Sequence, residues 1–431
     1  MPQVFHSSPT GRRRTKVSPV STPPKPDRAN EEHAARRFIW ANGLQGMGDQ
    51  IVAAKTVLPW LLQAAGTPGF FIALLVPIRE SGSMLPQAAF TPWVTTQRSR
   101  KRIWAIGSVG QALAAALIGV SVLLLDAVPL GIAVTLLLAV LAVFRSLCSI
   151  ASKDVQGRTI SKGRRGVITG RAAAVGGAIA LAVGLLLEFM GTDAPTWLLS
   201  ALIFASAAAW ALAAVVFRSI REPVSDREPQ GLQQGWWADT WGLFTGDREF
   251  RQFVIVRSLL LVTALSTAFI VTLSQEVGYG LTGLGAFLIA SGLASVLGGR
   301  ISGIWSDISS RNVMSYGSLA GSVVIVAIVA SAHWAPGTVN AWVFPIGFFL
   351  VNLAHTAIRV ARKTYIVDMA EGDERTRYVG AANTLMGAIL LLVGAVSGAV
   401  ALLGPSAALL FLAAIGFVGV IAAHRLRDVS A

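Results

Sequence analysis

The chain has 431 residues, 54% of them hydrophobic and only 13% charged, with a mean hydropathy of +0.62. A water-soluble domain carries about 25% charged residues, so this composition excludes a soluble enzyme or binding domain and points to a chain that crosses a membrane many times. The net charge of +14 sits in clusters between long apolar runs, as in loops that face anionic headgroups; the expected partner is the lipid bilayer and not nucleic acid.

Residues 1–37 are rich in Pro, Ser and Arg and read as a disordered basic cytoplasmic tail. They lack the apolar core and small-residue cleavage site of a signal peptide. Apolar segments long enough to span follow at 38–62, 69–95, 103–125, 128–153, 166–190 and 195–217, then at 249–273, 281–305, 313–332, 338–364, 377–402 and 405–424. The predicted fold is therefore all-α: twelve transmembrane helices, numbered here as spans 1 to 12, in two six-helix bundles, 38–217 and 249–424. The linker 218–248 joins them, and 425–431 forms a short C-terminus.

The connections after even-numbered spans carry RSRKR, KGRRG, FRSIREP, SDISSR and EGDERTR. Those after odd-numbered spans carry neither Lys nor Arg. The positive-inside rule then places both termini in the cytoplasm, in a multi-pass protein of the inner (plasma) membrane. In the linker, Trp237, Trp241 and Phe244 share one helical face, the pattern of an amphipathic helix lying in the membrane interface.

The two halves resemble each other at an offset of 210 positions. Ser149–Gly184 and Arg359–Gly394 align without a gap, with Lys153/Lys363, Arg165/Arg375 and Gly170/Gly380 coincident, and Gly107-Ser108 matches Gly317-Ser318 at the same offset. A shared offset in separate regions indicates an internal repeat.

Between spans 8 and 9 the chain reads Gly299-Arg300-Ile301-Ser302-Gly303-Ile304-Trp305-Ser306-Asp307-Ile308-Ser309-Ser310-Arg311. Together with twelve spans in two parallel halves, this stretch resembles the loop motif of the major facilitator superfamily. The resemblance implies a secondary carrier in which the motif braces the cytoplasmic side. Asp307 and Arg311 would take its acidic and basic roles, and Gly299 and Gly303 would allow close helix approach. The equivalent first-half loop departs from the motif, placing Gln97 where Asp307 stands. Val143-Phe144-Arg145-Ser146 resembles the family's span-4 arginine motif. In span 5, Ala174-Val175-Gly176-Gly177 keeps the double glycine of its antiporter motif without the proline.

Ionisable residues inside a span are costly and usually face a cavity or a partner. Span 1 holds Asp49 and Lys55, span 2 Arg79 and Glu80, span 4 Arg145, and span 10 His355 and Arg359. At 1.5 Å per residue Asp49 lies ~20 Å from the outer end of its span and Arg79 and Glu80 ~15 Å, all near the midplane. The expected pairing is Asp49 with Arg79. Asn42, Gln45 and Asp49 form a polar stripe on span 1. The offset aligns Arg145 with His355, so these two are expected to face each other across the pseudo-twofold axis. Lys153, Asp154, Lys363 and Asp368 read as gate ion pairs or snorkelling residues at the inner ends of spans 4 and 10.

No Walker loop, metal-ligand spacing or convergent catalytic set is present, so no cofactor, metal or enzymatic activity is expected. The sequence is read as a monomeric secondary transporter of a small-molecule substrate, coupled to protons through Asp49 or Glu80, with export of a drug or metabolite favoured. The alternatives are uptake of an organic anion, suggested by the excess of intramembrane cations, and a transporter-derived sensor or scaffold.

Overall fold

A computed structural model describes residues 28–52, 57–190, 196–223, 235–277 and 284–430. The disordered stretch expected over 1–27 and the candidate Lys55 lie outside them. The described residues form helices throughout. The N-terminal half contains α1 (Arg28–Ile51), α2 (Val57–Ala64), α3 (Gly69–Gly82), α4 (Gln87–Thr96), α5 (Arg100–Leu124), α6 (Ala127–Thr159), α7 (Arg165–Met190) and α8 (Thr196–Arg218). The linker helix α9 (Trp236–Gly246) leads to α10 (Arg248–Leu259), α11 (Val262–Glu276), α12 (Leu284–Trp334), α13 (Gly337–Met369), α14 (Gly372–Ala401) and α15 (Pro405–His424).

Among the described residues nine helical stretches are long and apolar enough to cross a membrane. The number reconciles with twelve spans through three features. Helix α12 contains spans 8 and 9, separated at Ser309, whose backbone leaves the helical region (φ −158°, ψ 97°). The Ser309 hydroxyl accepts from the Asn312 amide at 3.3 Å and so caps span 9. Spans 1 and 2 are each divided into two helices, α1/α2 and α3/α4; α1 has 24 residues but is too polar to count, and α2, α3 and α4 are too short.

The first helix begins at Arg28, ten residues earlier than the span predicted at 38. The added turns are tied down by charge: Glu31 accepts from the Ser161 amide at 3.1 Å and pairs with Arg164 at 3.2 Å. KGRRG, expected only to set topology and meet lipid, therefore also holds the protein's first described helix.

The division of span 2 falls at Ser83–Pro86, where Pro86 supplies no amide donor to continue the helix. Freed backbone groups inside a membrane need partners, and span 11 provides them. The Ala88 amide donates to Thr384 Oγ1 at 2.9 Å, Thr384 Oγ1 donates to the Leu85 carbonyl at 2.8 Å, and Asn383 donates to Gln87 Oε1 at 2.6 Å.

The repeat is visible in the packing. Ser108 donates to the Trp210 carbonyl of span 6 at 2.7 Å, and its counterpart Ser318 donates to the Gly416 carbonyl of span 12 at 3.0 Å. Each half has an apolar cluster towards either end. In the first half one is built around Leu58, Ile118 and Leu138, the other around Phe38, Trp104 and Phe217. In the second, one is built around Phe344 and Leu412, the other around Phe253 and Tyr365. Polar side chains lie between the two levels. Large apolar residues such as Leu117, Leu136 and Val323 remain exposed on the outer surface, as helices facing lipid require.

The halves meet along two seams, span 5 against span 8 and span 11 against span 2. Helices α7 and α12 make the most extensive helix–helix contact in the molecule. The end bearing Arg28, the C-terminus and the Arg-rich turns is called the basic end below.

Candidate functional site

Asp49 lies in the last turn of α1, where a carboxylate is disfavoured by the helix dipole. Two arginines offset this. Arg79, in the last turn of α3, donates from Nη2 to Asp49 Oδ1 at 2.5 Å, and Arg145 of α6 reaches Asp49 Oδ2 at 2.9 Å. Asp49 thus meets Arg79 as its depth suggested and also takes Arg145. Arg145 bonds Asp49 of its own half, and His355 Nδ1 lies 3.2 Å from Thr263 Oγ1 on α11. Glu80 exerts its field on Arg145, Arg359 and Arg362.

Beside this triad, towards the basic end, a cavity of about 170 Å³ opens between the halves. Asn42, Gln45 and Asp49 of span 1 line one wall, and Arg145, Ser149, Ser152 and Lys153 of span 4 the next. Small residues of spans 5 and 8, among them Gly176, Gly177 and Ser295, form the third, and Arg359 and Lys363 of span 10 the fourth. Asn42 and Ser152 bond each other at 3.2 Å. The lining therefore carries four cations against one carboxylate, and that carboxylate is already held by arginine.

Below the cavity the basic end is sealed. Arg100 is fully buried and bonds Asp154 of its own half at 3.0 Å and Asp373 of the other at 2.8 Å. Arg158 bonds the same two aspartates at 3.0 Å each. The repeat-related arginines cross the seam in opposite senses. Arg165 reaches Asp368 at 2.6 Å, and Arg375 lies 3.7 Å from Asp154. Each also holds a repeat-related carbonyl in its own half, Arg165 that of Gly157 at 3.0 Å and Arg375 that of Val367 at 3.1 Å.

The span 8–9 stretch completes the seal. Asp307 accepts from the amides of Gly166 and Val167 at 2.5 and 2.7 Å, at the N-terminus of α7, where four amides lack intrahelical partners. A Cβ at Gly299 would come within 2.7 Å of the Gly170 carbonyl, and one at Gly303 within 2.8 Å of the Gly166 carbonyl. Both glycines are thus required by close backbone approach. Arg311 does not cross the seam. It bonds the Leu426 carbonyl at 3.2 Å and lies 4.0 Å from Asp428, so its basic role is to hold the C-terminal segment of its own half.

Comparison with known proteins agrees with this architecture. The model of the Major Facilitator Superfamily matches residues 254–430. The fold is similar to that of the major facilitator transporter FucP in the outward conformation, with a TM-score of 0.69 and 15% identity over 93% of this chain and 100% of that one. A bacterial homologue of the iron transporter ferroportin in an outward-facing state gives a TM-score of 0.69 at 14% identity, over 91% and 98% of the two chains. The proton:xylose symporter XylE gives 0.65 at 12%, over 91% and 95%. The family model thus covers the second half of the chain, and the likeness to these transporters extends over nearly the whole of it. At these identities the structural likeness is one of fold, and no curated protein sequence matches the chain.

The sequence pointed to Asp307 but not to what replaces the motif in the first half. Gln97 stands at the acidic position, and the bracing charge has moved to Arg100, which shares Asp154 and Asp373 with Arg158. The coincidences Arg165/Arg375 and Lys153/Lys363 carried the missing signal. Basic residues repeated at one offset in both halves mark positions near the pseudo-twofold axis, where the halves meet.

Proposed function

We propose that this chain is a secondary transporter that moves a small solute by alternating access and that the structure represents the state closed towards the cytoplasm. The supporting observation is the asymmetry between the ends. Asp154, Asp368 and Asp373 with their arginines, Asp307 on the α7 amides, and two seams of close contact join the halves at the basic end. At the far end of span 11 a Cβ on Gly394 or Gly398 would meet nothing within 4 Å. The positive-inside pattern supports a cytoplasmic basic end, and the reading takes the membrane to be the plasma membrane. FucP and the ferroportin homologue were solved in outward states, which fits this assignment.

Coupling is assigned to the Asp49–Arg79–Arg145 triad. Arg145 both lines the cavity and holds Asp49. A solute that draws Arg145 away leaves Asp49 with one partner and favours its protonation, so solute and proton movements become linked. Of the two directions expected from the sequence, export of a drug or metabolite and uptake of an organic anion, the charge of the cavity lining favours an anion as the solute.

The test uses purified protein in vesicles loaded with a pH-sensitive dye and challenged with sugars, organic cations and organic anions. One solute class is expected to drive proton movement in the wild type, and Asp49→Asn to abolish it. Wild-type pH dependence of flux in both Asp49→Asn and Glu80→Gln would remove the coupling role from both carboxylates.

A further inference from the structure

Lys153 and Lys363 occupy the same place in the two repeats, and both line the cavity. Lys153 lies within the electrostatic field of Lys363. Among the described residues neither they nor Arg359 form an ion pair. Lys153 Nζ bonds only uncharged groups one turn back, the Ser149 carbonyl at 3.1 Å and hydroxyl at 3.0 Å. The Gln45 side chain beside them is 2% exposed, and its amide nitrogen finds no oxygen acceptor. Isolated cations and unmatched donors are costly inside a membrane protein. Here they are gathered around one cavity, with donors from both halves and an excess of positive charge.

We propose that this cavity binds a small polyvalent anion, carrying two or more negative charges as carboxylate or phosphate groups. It would lie on the pseudo-twofold axis with Lys153 on one side and Lys363 and Arg359 on the other. The inference rests on the reading of this cavity as a transport site and names the class of solute it takes. The volume sets an upper size. A closed cavity of about 150 Å³ holds a benzene-sized molecule, so a phosphate fits within these walls, a compact di- or tricarboxylate fills the cavity and its open mouth, and a nucleotide does not fit. The need for two charges follows from the position of the lysines in separate halves. A monovalent anion satisfies one side, whereas a polyvalent anion bridges both and binds best when the halves hold the lysines at this separation. It therefore has the differential affinity for one conformation that an alternating-access substrate requires. Arg145 is the shared element, because the anion competes with Asp49 for it.

The experiment is thermal unfolding and calorimetric titration of the purified full chain with citrate, inorganic phosphate, acetate and tetraethylammonium at matched ionic strength. Citrate or phosphate is expected to raise the melting temperature in a saturable way, and acetate and tetraethylammonium to leave it unchanged; the ranking of citrate and phosphate identifies the headgroup chemistry. Lys363→Gln and Lys153→Gln are each expected to weaken that binding about 30-fold, the effect of removing one partner from a buried charge contact. Lys363→Arg is expected to retain it. The unliganded Gln variants are expected to melt higher than the wild type, because cation repulsion is relieved, which also shows that they fold. Equal shifts by acetate and citrate would overturn the proposal, as would citrate and phosphate shifts that persist unchanged in the Lys153→Gln/Lys363→Gln double variant, or selective stabilisation by tetraethylammonium. Anion binding without flux in vesicles would leave this site standing and count against the transport reading; solute-driven flux without anion binding would do the reverse.

Discussion

Gly170 of span 5 and Gly380 of span 11 hold equivalent places in the two repeats, yet they meet different surfaces. Gly170 lies against the backbone of Gly299 and Gly303 in span 8, and the contact continues through Gly177, whose carbonyl would lie 2.8 Å from a Cβ on Gly292. Gly380 lies against the side chain of Thr91, and the span 11 contact passes through Thr384 and Gly387 to the divided segment of span 2. Beyond Gly387 the glycines of span 11 face open space. The first seam is backbone against backbone over most of its length. The second is short, polar and underlain by the Arg100–Asp154–Asp373 cluster. Away from the basic end, where Asp307 and the Arg165–Asp368 pair hold this seam, van der Waals contact between glycine-lined helices can slide or pivot without leaving a polar group unpaired. Hydrogen bonds and ion pairs must be exchanged to separate. The span 5–8 seam is thus suited to act as an axis, and the span 2–11 seam as the latch to be released if the basic end is to open.

The largest effect is expected at the charge that anchors the latch. Asp154 is fully buried and serves Arg100 at 3.0 Å, Arg158 at 3.0 Å and Arg375 at 3.7 Å. At the other seam the repeat places Thr364 at that position, and the carboxylates there, Asp368 with Arg165 and Asp307 on two amides, gather no such set of arginines. Removing one partner of a buried ion pair costs about 3–5 kcal/mol because the other charge stays buried. Asp154→Asn is therefore expected to lower thermal stability strongly or to open the basic end, read as increased labelling of cysteines introduced beside Arg100. A variant with wild-type stability and accessibility would show that the cluster does not hold the latch.

The next effect compares the two glycines directly. At Gly170 an added methyl meets main chain that cannot yield, and overpacking of this kind costs about 1–3 kcal/mol or more. At Gly380 the nearest obstacle is the Thr91 hydroxyl, a side chain that can rotate at the expense of its bond to the Gln87 carbonyl, about 1 kcal/mol. Gly170→Ala is expected to lower the melting temperature clearly more than Gly380→Ala. Equal losses would mean that the two seams are mechanically alike despite their chemistry.

Much of this was legible in the sequence, and the exceptions have physical causes. Long apolar runs and alternating loop charge located the spans because a bilayer imposes both. The Asp49–Arg79 pair followed from matched depth on neighbouring spans. Arg145 as a second partner of Asp49 did not follow, because helix rotation is set by packing and not by depth. The division of span 2 was not visible, since proline is tolerated in a membrane helix and its effect depends on what satisfies the freed carbonyls. Here that is Thr384, almost 300 residues away in the chain. The placement of Arg311 failed because the motif gives a residue type and not the direction of its side chain.

The smallest effect concerns a bond that only the latch side possesses. Asp247 caps α10, accepting from the Phe250 amide at 3.0 Å, and also accepts from the Tyr378 hydroxyl of span 11. The repeat places Arg37 and Ile168 at the equivalent positions, which cannot form this bond. Partial burial pushes the Asp247 carboxyl up, but the Tyr378 hydroxyl and the Phe250 amide outweigh it and hold the group below its ordinary value of 3.8. A depressed carboxyl contributes stability that is present above the unfolded value and is lost as pH falls through the folded one. The contribution should therefore be constant from neutral pH down to about 5 and disappear only below 3.8. Asn preserves an N-cap acceptor, so Asp247→Asn is expected to cost about 1 kcal/mol or less at neutral pH. Its melting temperature should converge with that of the wild type in strong acid. A difference that persists undiminished below the folded value would place the effect in packing around Tyr378 and not in the carboxylate.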